Sequence, residues 1–337
     1  MAPSRHRAGW RTFGWHGITL RVPKDWYLGK VTGNAKSGYA RLDDNEIVRV
    51  EVEWRAASRS YPVSQIVEKY LANLEKEARQ KGTPFDVQRR LDLIQGTEAA
   101  RGHEHECFNW VADYRAYNLA RRCRDCGRIV LVRVLAKRHE RIEDLVRSVL
   151  ASVCDHAEEG KNTWAVYDLK CRVPEEFALL ESSLKSGNIR LTFHNPTRKK
   201  PEHSLEAEYV SLASMLLRKA SLAEWFESFF AKSLRDFQIS DEDTRIQGHP
   251  GVEVRGRPKS RWRQMLLPLP FMSRKPRRYL KARVWHCEES NKIFVVKATS
   301  RDEFDDLFEV MPVEVVCHQA EGASDPRGHA EVPSGPQ

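Results

Sequence analysis

Arg21-Val22-Pro23-Lys24-Asp25-Trp26 recurs later in the chain as Arg172-Val173-Pro174-Glu175-Glu176-Phe177. Working outward, Ser37-Gly38 with Arg41-Leu42 recurs as Ser186-Gly187 with Arg190-Leu191. Ile94-Gln95-Gly96 and then Arg101-Gly102 recur as Ile246-Gln247-Gly248 and Arg255-Gly256. Arg128-Ile129-Val130 answers Lys292-Ile293-Phe294, and Cys154 answers Cys317. The matches keep one order along the chain, so the sequence reads as two diverged copies of one domain.

The first copy shows what each copy is built from. Val48, Val50, Val52 and Trp54 alternate with Arg49, Glu51, Glu53 and Arg55, the period of a half-buried strand. From Ser64 to Gln80 the period changes, and Ile66, Val67, Tyr70, Leu71 and Leu74 fall at helical spacing. Strand-like runs follow, then a closing helix with Ile142, Leu145, Val146, Val149 and Val153 on one face. In the second copy, Ser221-Leu-Ala-Glu224 is a capping-box pattern opening an aromatic helix with Trp225, Phe226, Phe229, Phe230 and Phe237. A further helix is expected from Asp302, ended by Pro312. The stretch Ser204 to Arg218 reads either way: repeat logic makes its first part a strand, and its composition tolerates a helix.

Strands joined by short turns pair antiparallel, because parallel neighbours need long crossovers. The expected class is therefore α+β: two tandem repeats, each an antiparallel sheet flanked by helices. The expected division is a tail over 1–13, a first repeat over 14–156, a linker over 157–163, a second repeat over 164–319 and a disordered tail over 320–337.

The Val-Pro-x-x-Trp/Phe opening and the Gly-containing midsection of each copy resemble the PsbP-like fold. That fold is shared by PsbP, the DcrB lipoproteins, a Ran-binding nuclear import factor family and certain secretion-effector chaperones. The resemblance spans each copy nearly end to end and implies a binding or adaptor role. It carries over no functional residue.

The net charge of +9 and pI near 9.2 suit an acidic partner. Hydrophobic residues make up 41% of the chain, enough for real cores. No stretch approaches the roughly 20 apolar residues of a membrane span. The first residues show no apolar run of the kind a secretion signal carries, so a cytoplasmic location is expected. Seven irregularly spaced cysteines then read as reduced thiols.

Two constellations could carry chemistry. Cys123-Arg-Asp-Cys126-Gly127 has the spacing of a zinc knuckle, in which two thiolates reach one metal around a tight turn. On the preceding strand His103, His105 and Cys107 alternate and so share a face. A hairpin turning near Arg115 would set Cys107 opposite Cys123. The expectation is a structural zinc in the first repeat held by His105, Cys107, Cys123 and Cys126, with His103 as an alternate. The plainer reading is a polar strand face and a turn that holds two thiols. A redox role for the pair is disfavoured, because a β-rich run rather than a helix follows it.

The second constellation is a basic ribbon. Eleven Lys and Arg residues and no acid lie between Arg255 and Arg283. Arg255, Arg257, Lys259, Arg261 and Arg263 alternate, and Arg277, Lys281 and Arg283 share a parity beyond the apolar loop Leu266–Phe271. Such a row would be solvated or would meet an anion such as nucleic acid. The run Arg198-Lys-Lys200 reads as a surface turn.

Matching Arg101-Gly102 to Arg255-Gly256 sets His103 against Arg257, His105 against Lys259 and Cys107 against Arg261. Cys123 then meets Cys287, but Cys126 meets Ser290, which assigns any metal to the first copy. His139, His156 and His318 read as residues at helix ends. No nucleophile triad, acidic pair or phosphate loop is evident, so an enzyme is disfavoured. The expected function is that of a non-catalytic binding or adaptor protein with a protein or other acidic macromolecular partner. The alternative is a nucleic-acid-associated protein using residues 255–283.

Overall fold

The computed structural model describes residues 9–56, 61–196, 203–259 and 277–318. Its first repeat runs β1 (Trp10–Trp15), β2 (Ile18–Pro23), β3 (Tyr27–Gly33), β4 (Ser37–Asp43), β5 (Val48–Arg55), α1 (Val63–Lys81), β6 (Asp86–Arg89), β7 (His103–Val111), β8 (Tyr114–Cys123), β9 (Ile129–Lys137) and α2 (Glu143–Ala151). The second opens with β10 (Lys161–Val166), β11 (Leu169–Pro174), β12 (Ala178–Lys185), β13 (Asn188–His194) and β14 (Ser204–Ser211). Three short helices follow: α3 (Ala213–Leu216), α4 (Leu222–Phe229) and α5 (Ala231–Leu234). The chain continues through β15 (Phe237–Ile246), β16 (His249–Pro258), β17 (Tyr279–Cys287), β18 (Lys292–Ser300), α6 (Leu307–Val310) and β19 (Glu314–Val316).

Two seven-stranded antiparallel sheets share one topology. Their orders are β3-β4-β5-β9-β8-β7-β6 and β12-β13-β14-β18-β17-β16-β15. Each strand of one sheet has its counterpart at the same place in the other, which is what a duplicated domain produces. The opening hairpins do not join these sheets. They pair with each other in a third sheet, ordered β19-β11-β10-β1-β2. At its centre Gly14 of β1 faces Ala165 of β10. A Cβ on Gly14 would lie 2.8 Å from the Thr163 carbonyl oxygen and 3.0 Å from the Ala165 nitrogen, so glycine is what permits the approach.

This arrangement corrects the expected fold class. The chain is mostly β, in three antiparallel sheets, and is not the helix-flanked α+β repeat of the PsbP-like layout. The physical reason lies in what covers the sheets. Trp26, Val22, Leu42, Val52, Val132 and Leu150 of the first repeat share one continuous apolar cluster with Trp164, Val173, Phe193, Trp285 and Phe294 of the second. One apolar core therefore runs through both repeats rather than two separate helix-covered ones. Apart from α1, the helices are short, with nine residues in α2 and eight in α4.

Local patterning nonetheless held in several places. The alternation around Val50 forms β5, and the helical spacing from Ser64 forms α1. Ser221 and Glu224 make the reciprocal capping box, although Phe237, expected in the same helix, begins β15. Ser204–Ser211 is a strand, followed by α3. The helix expected from Asp302 shrinks to α6, which Asp306 caps. Lys161, inside the stretch read as a linker, already begins β10, and Trp10, inside the stretch read as a tail, begins β1.

Candidate functional site

The hairpin β7–β8 and the turn after β8 build a polar cluster in the first repeat. The hairpin pairs His103 with Cys123. Beyond Cys123 the chain turns tightly, with Gly127 at φ 72° and its N–H donating to the Cys123 carbonyl at 3.2 Å. The backbone N–H groups of Asp125 and Cys126 point at Cys123 Sγ, at 3.3 and 3.5 Å. Residues beyond α2 close the cluster. His156 Nε2 lies 2.9 Å from Cys123 Sγ, and Asp155 Oδ1 lies 2.9 Å from His103 Nε2. Asp155 also accepts from Arg121 at 2.5 Å, and both side chains are buried.

The ligand atoms of His103, Cys123 and His156 converge, whereas the expected set does not. The hairpin turns two residues earlier than expected, which moves every cross-strand pair by four positions. Cys107 therefore faces Leu119, not Cys123. At strand rise that separates it from Cys123 by about 13 Å. Cys107 instead lies in the apolar core, where burial pushes its thiol up to about 12. His105 is exposed. Cys126, also exposed, stays beside Cys123, and burial raises its thiol. No sequence motif marks Asp155 and His156 as site residues. The shared cysteine and histidine near the end of each copy was the available signal.

The match of Arg101-Gly102 to Arg255-Gly256 also fails. Residues 96–101, with a 3₁₀ turn at Glu98–Ala100, have no counterpart between Gln247 and Gly248. The equivalent of Gly102-His103 is Gly248-His249, at the start of β16, while Gly256 lies inside that strand opposite Leu280.

The described part of the basic ribbon is largely neutralised. Lys281 is buried and reaches Glu253 and Asp306, each at 2.9 Å. Arg255 and Arg283 also contact Glu253, at 3.1 and 3.5 Å. Desolvation works against the charged Glu253 carboxylate, but its cations prevail and hold its pKa below the usual range. Arg257 stands 3.5 Å from Glu303, and Lys259 donates to the Arg235 carbonyl. Arg277 is exposed. Arg261, Arg263, the loop 266–271, the run 198–200 and the tail from 320 lie outside the described residues.

Several large apolar side chains of the second repeat are exposed. At α3, Met215 is 59% exposed, Leu212 before it 55% and Leu216 39%, and on α4 Phe229 is 47% exposed. Phe229 stacks on Trp225 at 4.9 Å, so the buried aromatic cluster of α4 extends to the surface. Leu212 adopts φ 65°, a left-handed conformation that costs a non-glycine residue energy. Exposed Arg218, Lys219 and Lys232 flank these side chains in sequence. Elsewhere, a 760 Å³ groove between α1 and its sheet is lined by Trp54, Tyr61, Tyr70 and Phe108. Among the described residues, no helix is long and apolar enough to cross a membrane.

No family model matches the sequence, and no curated protein matches it. Among solved structures, the chain is similar to the apo structure of the immunity protein TplEi of T6SS from Pseudomonas aeruginosa. Identity there is 12% and the TM-score 0.30, over 90% of this chain and 93% of that one. It is also similar to a structure of the Tle4–Tli4 complex, at 14% identity and TM-score 0.29, over 88% of each chain. At such scores neither likeness carries an argument about fold or function.

Proposed function

We propose that the protein is a non-catalytic binding protein whose second repeat engages an acidic protein partner through α3 and α4. The observation that supports this is the group of exposed apolar side chains Leu212, Met215, Leu216 and Phe229. Apolar groups of this size, displayed on and beside short helices, gain by burial against a partner. The nearby cations Arg218, Lys219 and Lys232 suit acidic groups at the rim of such an interface. The strained Leu212 adds to the reading, since strain is retained where it holds a side chain in a useful place. The seven unpaired cysteines fit a reducing, cytoplasmic setting for that encounter.

The alternative, nucleic-acid binding by residues 255–283, has less support, because Glu253, Asp306 and Glu303 pair with Arg255, Arg257, Lys281 and Arg283. One experiment separates the two. Immobilised full-length protein is used to capture partners, in parallel with a Met215→Asp/Phe229→Asp variant and an Arg255→Glu/Arg257→Glu variant. The apolar-surface variant is expected to lose a protein that the charge-reversed variant retains. Undiminished capture by the first variant, or salt-dependent nucleic-acid binding lost only in the second, would replace the proposal.

A further inference from the structure

The second repeat carries a cluster that the sequence matching concealed. His249 begins β16, Cys287 ends β17, and Cys317-His318 follow β19. One ligand atom from each of these four residues lies within 4.8 Å of every other. His318 Nδ1 stands at the centre, 3.3 Å from His249 Nε2, 3.5 Å from Cys287 Sγ and 3.2 Å from Cys317 Sγ. A single ring nitrogen has one proton or one lone pair and cannot satisfy three such neighbours. A shared cation can. With Zn–S near 2.3 Å and Zn–N near 2.0–2.1 Å, tetrahedral ligand atoms stand about 3.3 Å apart for N–N and about 3.5 Å for N–S.

The surroundings fit the same reading. Glu289 Oε2 lies 3.3 Å from His318 Nε2, the carboxylate contact that commonly orients a metal-bound imidazole and leaves its other nitrogen to the metal. Cys287 and Cys317 are buried, while the histidines reach the surface, which leaves the metal a way in. The three elements joined are distant in sequence, and β19 is only three residues long. A metal here would staple the end of the second repeat to its own sheet and to the central one.

The repeats sharpen the assignment. Thr19 bridges Cys154, and Lys170, its equivalent, pairs with Val316. Cys154 thus corresponds to Val316, Asp155 to Cys317 and His156 to His318. The constellation His249, Cys287, Cys317, His318 therefore repeats His103, Cys123, Asp155, His156. In the first repeat Arg121 already claims the acid, whereas Trp285 stands in place of Arg121 in the second. We infer that the second repeat binds one zinc ion in a Cys₂His₂ site formed by His249, Cys287, Cys317 and His318, and that the first repeat holds a metal-free relic of it.

The test is the metal content of the full chain, purified without chelator, with Cys317→Ser and Cys123→Ser in parallel. One equivalent of zinc is expected in the wild type and in Cys123→Ser, and none in Cys317→Ser. A zinc-free wild type overturns the proposal, and so does loss in Cys123→Ser with retention in Cys317→Ser. An oxidised Cys287–Cys317 pair in fresh protein also overturns it. Because Cys317→Ser could fail to fold, Co²⁺ is also added to metal-stripped wild type and to Cys317→Asp, which copies the acid of the first repeat. Thiolate-to-cobalt charge-transfer absorption should appear in the wild type and fall by about half in Cys317→Asp, as one of two thiolates is removed. A wild-type spectrum of aqueous cobalt alone rejects the site.

Discussion

Gly14 and Ala165 face each other across the central sheet, and they are the same position of the two repeats. A near two-fold relation therefore passes between β1 and β10, and the repeats are joined through their own opening strands. Because the atoms that a Gly14 side chain would strike are backbone, Gly14→Val should push the two strands apart. The expected loss is about 1–3 kcal/mol of stability in chemical denaturation. Ala165→Gly, which removes a methyl and crowds nothing, should cost less.

Arg121 and Asp155 form a buried ion pair, with Arg121 also donating to the Ala99 and Val153 carbonyls at 3.1 and 2.9 Å. Arg121→Met leaves Asp155 buried without its guanidinium, and a loss of about 3–5 kcal/mol is expected. Replacing both partners, Arg121→Met with Asp155→Ala, should recover part of that loss. A double-mutant cycle in urea measures the coupling, and simple additivity would show that the two side chains act independently.

His16 is buried against Trp164, with ring centroids 5.0 Å apart. Burial, with the cation of Arg128 adding to it, lowers its pKa from 6.5 to about 4. Between those values the unfolded chain takes up a proton that the folded chain refuses. The stability owed to neutral His16 is thus complete above about pH 6.5, declines as pH falls and is exhausted near pH 4, a change of about 3 kcal/mol. His16→Gln should flatten this part of the profile, as read by denaturation midpoints at a series of pH values.

Leu212 holds φ 65° while largely exposed, so its side chain gains little at home for the strain it carries. Leu212→Gly should raise stability by up to about 1 kcal/mol, visible as a higher Tm. The same change should weaken partner capture if the exposed apolar side chains form the interface. A lower Tm would mean that the leucine is needed for packing.

How far the chain can be read without its fold is best seen at particular residues. Val50 and Val67 declare strand and helix because side-chain period is a local property of the backbone. Cys107 and Cys123 do not face each other, because a two-residue shift in where the hairpin turns moves every cross-strand pair along it. Cys154 and Cys317 share a letter but not a position, since the bridge from Thr19 assigns Cys154 to Val316. The cations of the ribbon looked free because Glu253 lies before them in sequence and Asp306 after them, and strand pairing brings those acids to Lys281.

By itself, then, the sequence determined the repetition along this chain, the elements with the clearest period, such as β5 and α1, and its basic, cysteine-containing composition. These follow from local periodicity and from repetition in order. Tertiary structure alone decided that the opening hairpins leave their own sheets to pair with each other. It also decided that His249, Cys287, Cys317 and His318 meet. Both depend on pairing between segments far apart in the chain, where the free energy of burial and register, rather than neighbouring residues, selects the partner.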